Sequence, residues 1–116
     1  MPGDLIGNEV EDAVRARLLR GFTHRNAGRL TRLEEDSLDV GAQVEETARP
    51  LRGVSYDPHG RSVTIMLGDL GTADGHLTRS IADVVSVDLK LDPLRRDSVL
   101  RIAHGNGQTL LRLIYG

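Results

Sequence analysis

The segment Leu51–Leu67, LRGVSYDPHGRSVTIML, decides how this chain is read, because it carries the clearest signal for a reversal of the backbone. Asp57, Pro58, His59 and Gly60 supply in order the residue types of a type I turn closed by a left-handed residue. Proline pre-sets φ, aspartate bonds back to the backbone, and glycine accepts positive φ without steric cost. A three-residue hairpin loop follows. With Asp57 facing Arg61, Ser55 faces Val63, Gly53 faces Ile65 and Leu51 faces Leu67, so small residues of one strand oppose large ones of the other. Glycine and serine inside a strand let it bend sharply, as the strands of small barrels must. In the second strand Val63, Ile65 and Leu67 alternate with Ser62, Thr64 and Met66, the period of a sheet with one buried face.

On the N-terminal side, Met1–Gly7 holds two glycines and a proline and reads as frayed. Asn8 is an N-cap residue with Glu11 three positions on, and Glu9, Glu11 and Asp12 suit the positive end of a helix dipole. Val10, Val14 and Leu18, with Ala13 and Phe22, form a stripe at helical spacing, which predicts a helix from Glu9 to about Arg20 buried along that stripe. Arg15, Arg17 and Arg20 fall toward its C-terminal end and read as a solvated face. RLTRLEED then reads as a first strand, and VGAQVEETA as a half-buried second strand that ends before Arg49 and Pro50.

On the C-terminal side, Gly68, Asp69, Gly71, Asp74 and Gly75 make an irregular loop, and His76 to Ile81 reads as a helical turn. DVVSVDLKL is a strand ended by Asp92 and Pro93. VLRIAH and QTLLRLIY flank Gly105, Asn106 and Gly107. A two-residue turn at Asn106 and Gly107 keeps the apolar faces together, with Leu100 opposite Leu113 and Ile102 opposite Leu111, whereas a three-residue loop mixes them. That register makes Arg101 and Arg112 direct cross-strand neighbours, and like charges so placed must share an anion. A carboxylate of the same chain is the expected partner; an external carboxylate or phosphate is the functional alternative.

At 116 residues the chain is one domain, with residues 1–8 a flexible N-terminus and residues 9–116 a single α+β domain. A chain of this size buries roughly 65% of its unfolded surface, enough for one core of Leu, Val and Ile, each worth about 1.5–3 kcal/mol when fully buried. The absence of cysteine excludes disulfides and thiolate metal sites. An acidic N-terminal segment without an apolar core, and no run of membrane-spanning length, predict a cytoplasmic protein with no membrane contact. The net charge of −2 argues against a polyanion partner, although all but one, Lys90, of the 15 basic residues are arginine. Tyr56, Tyr115 and Phe22 are the only aromatics, too few for a nucleic-acid stacking platform.

Motifs for chemistry are sparse. No two of His24, His59, His76 and His104 fall at metal-ligand spacing on one element. Asp69, Asp74 and His76 do not follow the order of a calcium loop, and GDLGTADGH lacks the lysine and following helix of a phosphate cradle. No serine stands in a nucleophile elbow, and Tyr56 and Asp57, adjacent on a strand, point to opposite faces. No catalytic, metal or cofactor-binding residue is assigned, and no cofactor is expected.

Three segments carry a resemblance: PLRGVSYDP at Pro50–Pro58, HLTRSI at His76–Ile81 with a valine-rich strand after it, and GQTLLRL at Gly107–Leu113. Together they resemble an uncharacterised family of short bacterial proteins known only as a domain of unknown function, over Gly41 to Leu113. The resemblance implies a small standalone bacterial domain and carries over no substrate, cofactor or catalytic residue.

The expected architecture is α+β: an N-terminal helix, then a strongly bent, mainly antiparallel sheet or small SH3-like or Sm-like barrel of about six or seven strands. Strands apolar on both faces, notably Val84–Leu89 and Thr109–Tyr115, need a cover. The expected role is therefore a non-enzymatic interaction or structural module, a homo-oligomer with a protein partner possible and nucleic acid not favoured. The alternative is a small barrel that binds an anionic ligand or RNA through convergence of Arg52, Arg61, Arg79, Arg101 and Arg112, with Arg79, Arg101 and Arg112 the foremost anion-binding candidates. A metal-dependent hydrolase ranks last.

Overall fold

A computed structural model describes residues 2–39, 41–45, 47–68 and 76–115, with side chains from residue 9 onward. One helix, α1 (Pro2–Asn26), precedes eight strands: β1 (Leu30–Ser37), β2 (Gly41–Val44), β3 (Arg49–Asp57), β4 (Ser62–Leu67), β5 (Leu77–Ile81), β6 (Val84–Leu91), β7 (Asp97–His104) and β8 (Gly107–Leu113). Asp69, Gly71, Asp74 and Gly75 of the glycine-rich loop lie outside the described residues, and with them most of the calcium and phosphate motifs considered there.

The helix is longer than its capping pattern predicts. It begins at Pro2, where a proline loses no helical hydrogen bond, and passes through Asn8 without a break. It ends beyond Arg20 with His24 and Arg25 at the negative pole, and Gly28 follows at φ 85, a left-handed position suited to a helix terminus. Its buried face agrees with the expected one at Phe22 and in part at Leu18, which packs against the core, and departs from it at Val10 and Val14. Leu19 and Phe22 are fully buried, while Val10 and Val14 are 56% and 57% exposed. Asp12, Arg15, Ala16, Leu19, Phe22, Thr23 and Asn26 form the side that meets the sheet, roughly opposite the stripe of Val10, Ala13, Val14, Arg17 and Leu18.

All ladders are antiparallel, in the order β5-β4-β3-β1-β8-β7-β6, with β2 added to β1 beside β3. Among the described residues there are eight strands rather than six or seven. The added strand is β5, which replaces the helical turn expected over His76–Ile81 and pairs with β4 from Leu67↔Leu77 to Val63↔Ile81. Pairing with β4 gives five residues a ladder along one edge, and that tertiary gain overrides local preference. The second strand is exposed along its whole length rather than half-buried.

The central hairpin exists, with a longer loop. Asp57 pairs with Ser62, and the left-handed residue is Arg61 at φ 47 rather than Gly60. Asp57 does turn back on the chain, its carboxylate accepting the His59 N–H at 3.0 Å. The added loop residue shifts the register so that Tyr56 opposes Val63 and Val54 opposes Ile65, in place of Ser55 and Gly53. A β-bulge between Leu51 and Gly53 absorbs the shift and restores Leu51↔Leu67 as expected.

The sheet curls until distant strands touch. Arg79 on β5 reaches Glu35 on β1 at 3.5 Å although β4 and β3 lie between them in the sheet. The Val84 amide at the head of β6 donates to Arg61 O in the β3–β4 turn at 3.0 Å. No ladder joins β5 to β6 among the described residues, so the curl stays open and the barrel alternative does not hold. Its inner face holds Leu33, Leu51, Val54, Val63, Ile65, Leu100, Ile102 and Leu111, with Leu19 and Phe22 of α1 in the same cluster.

Polar contacts fix the helix to this frame. Thr23 Oγ1 accepts the Val54 N–H at 2.9 Å and donates to Val54 O at 3.1 Å, which occupies backbone groups near the bulge. Tyr56 OH donates to Asp12 at 2.7 Å, and burial together with that bond raises the pKa of its hydroxyl above the usual value. Arg15 donates to Tyr56 OH and to Val85 O, tying β3 to β6 across the opening.

At the other end of α1, Asp97 Oδ2 accepts from Asn26 Nδ2 at 2.7 Å and from Arg25 Nε at 2.8 Å, while its backbone carbonyl accepts from Tyr115 OH at 2.6 Å. Asn26 and Asp97 are buried. Burial alone raises the Asp97 pKa, and the bonds from Arg25 and Asn26 outweigh it, holding the carboxyl below the usual aspartate range. A folded pKa below the unfolded one of about 3.9 contributes stability that is present above that value and is lost as pH falls through the folded pKa. Asp97→Asn is therefore expected to lower stability by about 2 kcal/mol at neutral pH, by urea denaturation. The difference from wild type should narrow below about pH 4. An undiminished gap there would contradict the role of the Asp97 bonds to Arg25 and Asn26.

Candidate interaction surfaces

The β7–β8 turn is a two-residue turn, but it is Gly105 and Asn106 that form it, flanked by His104↔Gly107. Gly107 is a strand residue at φ 150, packed so closely on Asp36 and Ser37 that only glycine fits. The register moves accordingly: Leu100 faces Leu111, Arg101 faces Leu110 and Val99 faces Arg112, so Arg101 and Arg112 are diagonal rather than direct neighbours. The like-charged pair lies one strand over, where Arg32 of β1 faces Arg112.

The five arginines do not converge on one site, although Arg101 and Arg112 share a cleft. Arg112 meets Glu34 through Nε at 3.1 Å and through its terminal nitrogen at 3.2 Å, bonds that hold the guanidinium more firmly in its charged form. Arg101 bridges Asp88 at 3.0 Å and Gln108 at 2.6 Å. Both line a cleft of about 700 Å³ on the outer face of β6–β8, with Asp88, Lys90, Val99 and Leu110. Arg79 lies on the inner side of the curl against Glu35. Arg52 sits beside His76, and Arg61 occupies the hairpin turn. All three foremost candidates thus meet a carboxylate of their own chain, but Arg101 and Arg112 meet separate ones, Asp88 and Glu34, rather than the shared partner expected.

The sequence reading missed two features. The first is the outer stripe of α1, where Val10, Ala13, Val14, Arg17 and Leu18 line a groove, Leu18 at the edge where it also packs against the core. Its spacing is legible in the sequence, where it reads as a core stripe. Glu9 and Arg20 lie on one flank of this stripe, three turns apart and symmetric about its centre. Among the described residues neither has an ion-pair partner within the chain.

The second is the polar mouth of the curl, a cleft of about 360 Å³ lined by Glu35, Gln43, Arg79, Ile81, His104 and Thr109 among others. His104 Nε2 lies 3.3 Å from Thr109 Oγ1. Thr109 is 2% exposed, and no described acidic group bonds the imidazole, so the pair lacks the orienting third member of a nucleophilic site. No local motif marks this cleft, because its residues come from β1, β2, β5, β7 and β8.

Among the described residues, no group of three or more His, Asp or Glu side chains is arranged to hold a metal ion. No described helix is long and apolar enough to cross a membrane.

The model of a family of unknown function, DUF5335, matches residues 7–111. The chain belongs to that family. No curated protein and no solved structure matches it significantly. The DUF5335 match begins within α1, well before Gly41, so it takes in the outer stripe, the mouth and Asp97, while Arg112 and Tyr115 lie beyond its end.

Proposed function

We propose that this chain is a non-enzymatic interaction module that self-associates through the outer stripe of α1. The observation that carries this reading is that the helix is apolar on two opposite sides: Leu19 and Phe22 are consumed by the core, while Val10 and Val14 are more than half exposed. Val10, Ala13, Val14, Arg17 and Leu18 follow the alternating three- and four-residue spacing of a helix-pairing seam.

The charges select a second copy as the occupant. Two helices crossing antiparallel about a two-fold axis near Val14 bring Glu9 of one copy to Arg20 of the other, twice, on matching flanks. A parallel pair puts the Glu9 and Arg20 flanks of the two copies on opposite sides of the seam and loses both contacts. A seam of two valines, an alanine and a half-buried leucine is small, so a reversible dimer in the micromolar range is expected. Sedimentation velocity across a dilution series should show a monomer–dimer equilibrium in the wild type and a folded monomer in Val14→Asp. A wild type that stays monomeric at high micromolar concentration would overturn the reading.

A further inference from the structure

The mouth of the curl holds two opposite charges that use little of their bonding capacity. Arg79 Nε and Glu35 Oε1 are 3.5 Å apart, an ion pair too loose for a hydrogen bond, and the Nε is buried without a hydrogen-bond acceptor. Both side chains are 37% exposed. A guanidinium offers five N–H donors and a carboxylate about four acceptor sites, of which this loose contact uses few. Asp36, Gln43, Gln108 and the His104–Thr109 pair add polar groups to the lining, and Ile81 and Ala82 add apolar ones. The 360 Å³ of space lies at the small end of the range of roughly 300–1,000 Å³ found for small-molecule sites.

We infer that this mouth binds a small zwitterion of the α-amino-acid type, its carboxylate on Arg79 and its ammonium on Glu35. A ligand with one charge satisfies one member of the pair and leaves the other half-buried and less compensated, a costly arrangement. A ligand with both charges one carbon apart serves both members at once, since their charged atoms are themselves close together. Its side chain then rests against Ile81, and Gln43 and the His104–Thr109 pair supply further polar contacts.

The test is a titration of isotope-labelled protein, followed by backbone amide shifts, with alanine as probe and acetate and methylammonium as single-charge controls. Alanine is expected to move the amides of Arg79, Ile81 and Gln108 saturably, and each control to bind at least about tenfold more weakly. Arg79→Gln and Glu35→Gln should each weaken alanine binding by about tenfold or more, whereas Val14→Asp should leave it unchanged. Acetate binding as tightly as alanine would overturn the inference. So would saturable alanine binding that survives both glutamine variants, or the absence of any shift at the mouth.

Discussion

Phe22→Ala is expected to destabilise the fold by about 3–5 kcal/mol, the largest effect of any single substitution considered for this chain. Phe22 is fully buried and, with Leu19, is the helix's contribution to the core. Removing its ring opens a cavity between α1 and the concave face of the sheet, and neither the bulged β3 nor a helix held by Thr23 and Asn26 is free to collapse into it. Val14→Ala, an apolar truncation on the same helix, is expected to change the stability of the monomer by about 0.5 kcal/mol or less, because Val14 is 57% exposed. Urea denaturation at concentrations below the dimer range measures both. Equal costs would mean that the helix packs through the Val10–Val14 side instead.

Gly107→Ala follows at about 3 kcal/mol or more, with a fall in Tm of roughly 10–20 °C for a domain of this size. A β-carbon there would collide with Asp36 O and lie 2.8 Å from Ser37 Cα, both in the backbone of the β1–β8 ladder, so no rotation of a side chain relieves it. The backbone angle of φ 150 adds strain for any residue with a β-carbon. Gly105→Ala, two residues away, provides the control: its β-carbon would meet only Asp83 Cβ at 3.8 Å, an ordinary contact, and a change within about 1 kcal/mol is expected. A mild Gly107→Ala would restore the alternative turn at Asn106 and Gly107, and with it direct opposition of Arg101 and Arg112.

These two sites also show which parts of the fold the sequence discloses. Alternation in Val63–Leu67, Val84–Leu89 and Leu100–Ile102 reveals the strands, and Asp57–Pro58 reveals the reversal between β3 and β4, because hydrophobic period and turn chemistry act locally. Register is less local. The bulge at Leu51/Gly53 and the close approach of Asp36 to Gly107 are set by strands far away in sequence, and each moves the pairing away from the simplest reading. The helix misled for a different reason. Its buried side includes Asp12, Arg15, Thr23 and Asn26, polar residues whose partners Tyr56, Val54 and Asp97 arrive only when the sheet forms. Val10, Val14 and Leu18 therefore look like the better core stripe until those partners are in place. The mouth is harder still to read, since Arg79 and Glu35 meet only through the curl of the sheet.

The two-faced helix is most directly tested by Val14→Cys, because the chain has no cysteine of its own and any disulfide formed reports one position. Leu38→Cys, 86% exposed in the β1–β2 turn, serves as the collision control. Under mild oxidation at micromolar protein, Val14→Cys is expected to convert to a disulfide-linked dimer far faster than Leu38→Cys. That result would place residue 14 on the solvent side of α1 and beside its copy across a two-fold axis. Cross-linking of Val14→Cys no faster than that of Leu38→Cys would contradict the account.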